Sequence, residues 1–229
     1  MIVFYHPDLN HGQVHLSQEQ SKHCIKVLRK RVNDQITLID GTGTWVKCKI
    51  LDPNPKKVIC LLEERTYEDP PLYKKAIAIA PTKQMARYEW FLEKATELGI
   101  THIYPLVFKH SERKTIKTDR LEKILISALK QSLRFHKPVL GDSMTFEQFL
   151  DQHATQYSQK FIAHYQEGNS SLRDSYRQGL NTIVLIGPEG DFHESEIEKA
   201  QAAGFKLVNL SENRLRTETA GLSALMQIL

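Results

Sequence analysis

Two short stretches hold residue types that could do chemistry. The first is Ile186-Gly187-Pro188-Glu189-Gly190, where the apolar run "TIVLI" ends in two glycines, a proline and a carboxylate. Gly187 and Gly190 let the backbone approach a ligand closely, and Pro188 stiffens the path between them. The amides and carbonyls of such a corner could hold an adenine edge or a carboxylate. A plain strand-to-helix turn would use the same residues. The second stretch is "RLRTETA", Arg214 to Ala220, just before a closing helix that Thr217 or Thr219 can cap. An arginine at a helix start opposes the macrodipole, so helix stability does not account for Arg216. A bound anion, or negative charge developing in a reaction, accounts for it. A surface pairing of these arginines with Glu212 or Glu218 is the alternative. Ser195 with Glu198 reads as a capping box and needs no function.

Both stretches follow apolar segments, and in open α/β sheets ligands bind beyond the carboxyl ends of the strands. From residue 73 onward the segments "AIAIAPTK", "THIYPLVF", "FIAHY", "TIVLIG" and "FKLVNLS" read as strands. They alternate with the helical patterns "QMARYEWFLEKATELGI", "DRLEKILISALKQSL", "ESEIEKAQAAG" and "TETAGLSALMQIL". Continuously apolar strands alternating with helices predict a parallel sheet covered on both faces, an α/β fold. In the closing helix Ala220, Leu222, Leu225, Met226, Ile228 and Leu229 cover most of the circumference. Such a helix either plugs the domain core or packs against another subunit.

The first part of the chain has a different rhythm. Ile36 and Leu38, a Gly-Thr-Gly turn, then Val46, Cys48 and Ile50 at period two predict a hairpin. "GTGTW" lacks the third glycine of a dinucleotide loop and runs into a strand. "KKVICLLEE" is another strand. Ser17 can cap "SQEQSKHCIKVLRK", a helix with Cys24, Val27 and Leu28 on one face. Short strands with one helix predict a small β-barrel-like domain. Pro70-Pro71 in "EDPPLYKK" marks the linker, so the expected domains are 1–72 and 73–229.

Composition narrows the classes. The 229 residues are 41% hydrophobic and 25% charged, as in a soluble globular protein. No apolar run approaches the roughly 18–20 residues of a membrane span, and "MIVFYHPDLN" does not read as a signal peptide. Cys24, Cys48 and Cys60 lack metal-ligand spacing and read as packed, reduced thiols of a cytoplasmic protein. His6, His11 and His15 supply no convincing metal set, so neither metal nor membrane is expected. The net charge is only +4, but residues 74–137 carry fourteen Lys/Arg against six Asp/Glu. A basic block of this kind predicts a surface facing a polyanion, although a solvated lysine-rich helix face gives a similar count.

"KATELGI" (94–100), "IGPEG" (186–190) and "LRTETA" (215–220), in that order, resemble the RsmE-type 16S rRNA uridine-N3 methyltransferases of the SPOUT superfamily. "HCIKVLRK" followed by "NDQITLIDG" resembles that family's PUA-like RNA-binding barrel, and "KQSLR" (130–134) a further family segment. The resemblance covers nearly the whole chain. It implies a PUA-like β-barrel over 1–72 and a trefoil-knotted α/β methyltransferase domain over 73–229. It also implies S-adenosylmethionine as cofactor, 16S rRNA or the small ribosomal subunit as partner, and a homodimer with its site at the subunit interface. Carried over by position, Ile186, Gly187, Pro188, Glu189, Gly190, Leu210, Leu215, Arg216 and Thr217 form the cofactor pocket, with His164 nearby. Two departures stand out: family members often have glycine where this chain has Asp191, and Gly-Pro where it has Ser211-Glu212.

Under that resemblance the chemistry is methylation of uridine N3, a poor nucleophile until its proton leaves. The protein must align N3 with the methyl group and favour the deprotonated base. Arg216 is expected to stabilise the charge that develops, with Glu218 as proton acceptor or as a first-turn carboxylate that merely favours the helix. RNA contacts are expected from Lys22, Lys26, Arg29 and Lys30, with Arg31 beside them, and from Lys83, Arg87, Arg113 and Arg134, with Lys109 and Lys114 in the same basic block. Three other functions remain open: a methyltransferase acting on a different RNA such as tRNA, a non-catalytic RNA-binding protein, and a nucleotide-binding enzyme of another class.

Overall fold

A computed structural model of the chain describes residues 2–229. The chain divides into two units: residues up to Pro70 with Ile126–Lys137, and Pro71–Leu125 with Pro138–Leu229.

The first unit holds β1 (Val3–Tyr5), β2 (Gln13–His15), α1 (Gln18–Lys22), β3 (Gln35–Ile39), β4 (Thr44–Asp52) and β5 (Ile59–Tyr67). Its five strands run in the order β1-β3-β4-β5-β2, with β1 parallel to β3 and the other pairs antiparallel. The expected hairpin is β3–β4, closed by Asp40-Gly41-Thr42-Gly43, whose glycines take φ of +74° and +110°. Phe4, Leu38, Val46, Cys48, Ile50 and Cys60 fill the core. Burial there pushes the Cys48 and Cys60 thiols up to about 12, which keeps them protonated and unreactive at neutral pH.

Two expectations need correction. Ser17 does cap α1, accepting from Gln20 N at 3.3 Å, but the α-helix ends at Lys22 and continues as a π turn over His23–Val27. Leu28 N donates to His23 O at 3.0 Å, five residues back. The wider turn shifts the phase, so Cys24 is buried while Val27 is 64% exposed instead of sharing its face. Second, Ile126–Lys137 lies far along the chain from the Pro70-Pro71 boundary yet belongs to the first unit. Leu129 is buried with Val3 and Ile39, Phe135 stacks on Trp45 at 4.7 Å, and Lys137 N donates to Gly41 O at 2.8 Å.

The second unit follows as β6 (Lys75–Ile79), α2 (Met85–Leu98), β7 (His102–Val107), α3 (Thr118–Ser132, shared with the first unit), β8 (Val139–Leu140), β9 (Met144–Thr145) and α4 (Phe146–Gln152). It continues with β10 (Gln159–Ala163), α5 (Leu172–Ser175), β11 (Thr182–Ile186), α6 (Glu194–Ala202), β12 (Lys206–Val208) and α7 (Thr217–Ile228). The sheet order is β12-β10-β11-β6-β7-β8, β9 also pairs with β7, and every pair is parallel. One face packs Ile77, Ile79, Val184 and Ile186 against α2 and α7, and the other packs Ala78, Ile183 and Leu185 in a second core. The predicted α/β sheet, buried on both faces, is present.

The closing helix does plug the domain core with one of its faces. Ala224, Leu225 and Ile228 are buried among α2 and the sheet, although Met226 stays 59% exposed. Gly221 explains the close fit: a Cβ there would come within 2.7 Å of the Phe91 ring and 2.9 Å of Ile79 Cδ1.

Candidate active site

The parallel register sets Ile79, Ile186, Ala163 and Val208 in one row, the last residues of β6, β11, β10 and β12. The loops leaving β10, β11 and β12 therefore rise from the same edge of the sheet, where such folds bind ligands. Two of them carry the stretches singled out in the sequence. Thr217, instead of capping α7, donates its hydroxyl to Gly187 O at 3.2 Å, which ties the glycine corner to the entry of the last helix. Arg216 is the N-cap residue of α7 and makes no side-chain cap.

Between these segments lies a cavity of about 370 Å³. Of the residues carried over from the family resemblance, Ile186, Gly187, Pro188, Glu189, Leu210 and Leu215 line it, as do Arg216 and Thr217. Gly190 does not; it sits against the His110 side chain, 3.3 Å from a Cβ placed on the glycine. His164 is also outside the lining, with Nδ1 3.3 Å from Asp191 Oδ1, while its neighbours Ala163 and Tyr165 form part of the wall. Sequence reasoning missed Arg87, Tyr165 and Val208 as cavity residues. The only signal for them is that each lies at or just after a strand end or on the helix facing α7.

Glu189 turns its carboxylate back to the loop after β6 and accepts from Lys83 N at 2.9 Å. Arg113 donates to Thr82 O at 3.2 Å and to Lys83 O at 2.8 Å, holding the same loop from the other side. Asp191, where the family resemblance leads one to expect glycine, takes φ +63° and accepts from Phe192 N at 2.8 Å. Asp is among the few residues that tolerate the left-handed region, so the turn keeps its shape without glycine. The chain then enters α6 at His193, two residues before the expected Ser195. The capping box is His193 with Glu196: His193 Nδ1 accepts from Ser195 N at 3.2 Å and Glu196 from His193 N at 2.8 Å.

Glu218 is a nearly buried carboxylate, its side chain 9% exposed, with Arg87 Nε 3.8 Å away. Arg87 thus stands at the cavity wall. Among the described residues, the guanidiniums of Arg214 and Arg216 make no ion pair with a carboxylate, so the pairings with Glu212 or Glu218 are not formed. In the same cavity the backbone N–H groups of Leu210 and Leu215 meet no acceptor within the described protein. The site therefore combines apolar walls, free amide donors and two unpaired cations at a helix start. That set suits a ligand with a planar heterocycle at one end and a reacting centre that becomes more negative at the other.

A family model described as an RNA methyltransferase domain matches residues 68–229, and one described as an RNA methyltransferase PUA domain matches residues 16–63. Fold, site and these matches define an RNA methyltransferase with a PUA domain. Over 95% of its length the chain is 30% identical to the Ribosomal RNA small subunit methyltransferase E of Rickettsia conorii, covering 89% of that protein. A crystal structure of a probable rRNA methyltransferase from Porphyromonas gingivalis is 38% identical with a TM-score of 0.91, over 99% of this chain and 96% of that one. The Neisseria gonorrhoeae Ribosomal RNA small subunit methyltransferase E, crystallised with S-adenosyl methionine, is 28% identical with a TM-score of 0.85, over 99% and 95%. The chain belongs to the ribosomal RNA small subunit methyltransferase E family.

Proposed function

We propose that this protein methylates N3 of a uridine in 16S ribosomal RNA, using S-adenosylmethionine held in the cavity between Gly187 and Thr217. The observation that carries this is the Thr217–Gly187 hydrogen bond, which joins the two family segments around one cavity. Its volume of about 370 Å³ falls within the roughly 300–1,000 Å³ that drug-sized ligands occupy. Ile186, Val208, Leu210 and Leu215 offer apolar walls to an adenine ring, and the free amides of Leu210 and Leu215 offer donors to its edge.

S-adenosylmethionine supplies an electrophilic methyl group. In the transfer the N3–carbon bond forms as the carbon–sulfur bond breaks, the electron pair returns to sulfur, and the N3 proton must go to a base. Arg216 lines the cavity, and its guanidinium is proposed to stabilise the uracil carbonyls as N3 ionises. Glu218, one residue into the helix from Thr217, is the proposed acceptor of that proton, with Arg87 steadying its carboxylate. His164 acts through Asp191, holding the turn that shapes the pocket floor.

The proposed division of labour is RNA capture chiefly by the first unit, residues up to Pro70 with Ile126–Lys137, and chemistry by the second. Lys22, Lys26 and Arg29 are exposed and suited to phosphate, as is Lys83, although its ammonium also pairs with Glu112 at 2.8 Å. Lys30 and Arg134 complete the proposed contacts, whereas Arg113 is engaged with backbone carbonyls and serves the loop. The trefoil knot implied by the resemblance is part of the proposal. Supporting it, the chain leaves edge strand β12 and returns to α7 against the central strands β6 and β11. A homodimer is proposed as well, supported by the exposed Met226 of α7 and Leu229 just after it. A cytoplasmic location follows from a ribosomal substrate. No helix among the described residues is long and apolar enough to cross a membrane.

Calorimetry with S-adenosylhomocysteine, and mass mapping of methyluridine in small-subunit RNA incubated with protein and cofactor, test the reading. Binding heat and one new N3-methyluridine in 16S rRNA are expected. Methylation of tRNA alone would reassign the substrate, and RNA binding without methylation would leave an RNA-binding protein.

A further inference from the structure

A second concavity, of about 480 Å³, lies between α2 and the segment from Arg113 to Leu121, and no residue of α7 lines it. Arg87 of α2 lines the cofactor cavity, whereas Met85 and Glu89 line this concavity. The face of α2 beside α7 is thereby left to the proposed homodimer. The floor is apolar: Leu121 is fully buried, and Met85 and Ile116 are partly buried against the main core. The rim is cationic, with Arg113, Lys117 and Arg120 beside a single carboxylate, Glu89. Residues 109–123 hold six Lys/Arg against three Asp/Glu, and Lys114 and Lys123 line adjoining depressions.

Arg120 sets the chemistry of the rim. Its Nε lies 2.6 Å from Glu89 Oε1, and its Nη2 donates to Glu89 Oε2 at 2.9 Å, a two-pronged pair. The Glu89 side chain is 16% exposed and serves as a fixed anchor, while that of Arg120 is 71% exposed. Exposed ion pairs contribute little to stability and cost side-chain entropy, so stability does not account for this one. What the pair provides is a guanidinium of set plane, largely open to solvent, at the edge of an apolar slot. Unpaired RNA bases stack on guanidinium planes, and nearby cations take up their phosphates.

We propose that this concavity seats an unpaired base of the substrate RNA that flanks the target uridine, stacked on Arg120 over Met85 and Ile116, with Lys117 at its phosphate. This rests on the RNA methyltransferase reading and adds to it a subsite outside the cofactor cavity. The target base itself enters the cofactor cavity, so nothing stands between N3 and the methyl group. The seated neighbour fixes the strand on which the target is presented. A base held in a duplex cannot reach the slot, so the subsite selects an unpaired strand.

Arg120→Lys keeps the charge and loses the plane. The full chain, with S-adenosylhomocysteine present, is titrated with a fluorescein-labelled oligouridylate and with the abasic oligomer of the same length. Arg120→Lys is expected to weaken oligouridylate binding about 10- to 100-fold, the loss of one stacked base, and to leave affinity for the abasic oligomer unchanged. Equal weakening of both oligomers would make Arg120 a phosphate contact and overturn the proposal, as would unchanged affinity for both. Altered sedimentation of Arg120→Lys would assign this face to a contact between copies and also overturn it. Crosslinking needs no variant: a 4-thiouridine oligomer irradiated with the wild-type protein is expected to attach at Met85 or within residues 113–121. Attachment confined to other segments overturns the proposal. If the wild-type protein transfers no methyl group to rRNA, the parent reading falls, while the difference between the two oligomers still reports the slot.

Discussion

Arg216 and Thr217 are neighbours in sequence with divided tasks. Thr217 spends its hydroxyl on Gly187 O, so it holds the two loops together, whereas Arg216 has its guanidinium free of carboxylates. A cation in the N-cap position gains nothing from the helix dipole and lacks a compensating ion pair among the described residues. Its cost is recovered only when negative charge arrives. Removing a preorganised charge-stabilising group from an active site typically lowers turnover about 10²–10³-fold. Arg216→Ala is therefore expected to lower kcat about 100-fold or more, with the affinity for S-adenosylhomocysteine changed little. Single-turnover methyl transfer beside calorimetry checks this, and unaltered turnover removes Arg216 from the chemistry. Arg216 was legible in the sequence, because an arginine at a helix start conflicts with local stability, whereas Thr217 read as a helix cap and entered the pocket only through the family resemblance. Arg87 and Tyr165 were not legible as cavity residues. Their partners lie tens of residues away, and only the parallel register of β6, β11 and β10 brings them to one edge.

At the scale of elements, the long strands and helices of the second unit could be read from periodicity because each carries a complete apolar face. The pieces between them could not. β8 and β9 have two residues apiece, too few to express a period of two, and the π turn after α1 breaks the helical period on which the reading of Val27 relied. Closing helix α7 shows how packing overrides propensity. Gly221 lies within it, and replacing glycine by alanine in a helix ordinarily gains about 1 kcal/mol. Here the added methyl would meet the Phe91 ring at 2.7 Å and Ile79 Cδ1 at 2.9 Å, both on fully buried side chains. Overpacking of this kind costs about 1–3 kcal/mol, enough to reverse the sign. Gly221→Ala is expected to lower the denaturant midpoint with an unchanged m-value. A rise in midpoint would mean that α7 sits more loosely on α2 and β6 than these distances state.

For the whole molecule the informative quantity is where the charge lies, since a net of +4 is small while residues 74–137 hold fourteen Lys/Arg against six Asp/Glu. The structure sorts these cations, and those of the first unit's helix, by what they already touch. Arg113 is committed to Thr82 O and Lys83 O, and Arg87 stands beside Glu218, so neither is a free phosphate ligand. Lys22, Lys26 and Arg29 are exposed near the end of the first unit's helix, where Arg29 takes φ +54°. Each phosphate neutralised on a duplex contributes about −0.9 to the slope of log K against log salt, and about −0.7 on a single strand. Affinity for 16S rRNA is thus expected to fall steeply with salt. Lys22→Gln with Lys26→Gln should make the slope shallower by roughly 1.4–1.8 units, as two lost phosphate contacts require. Arg113→Ala should instead leave the slope nearly intact and lower stability, because what it loses is two hydrogen bonds to a loop. Filter binding across a salt series, paired with denaturant unfolding, separates the two outcomes. A flat salt response in the wild-type protein would remove the basic surface from RNA recognition, and equal slope changes in both variants would show that burial and pairing do not sort the cations as the geometry does.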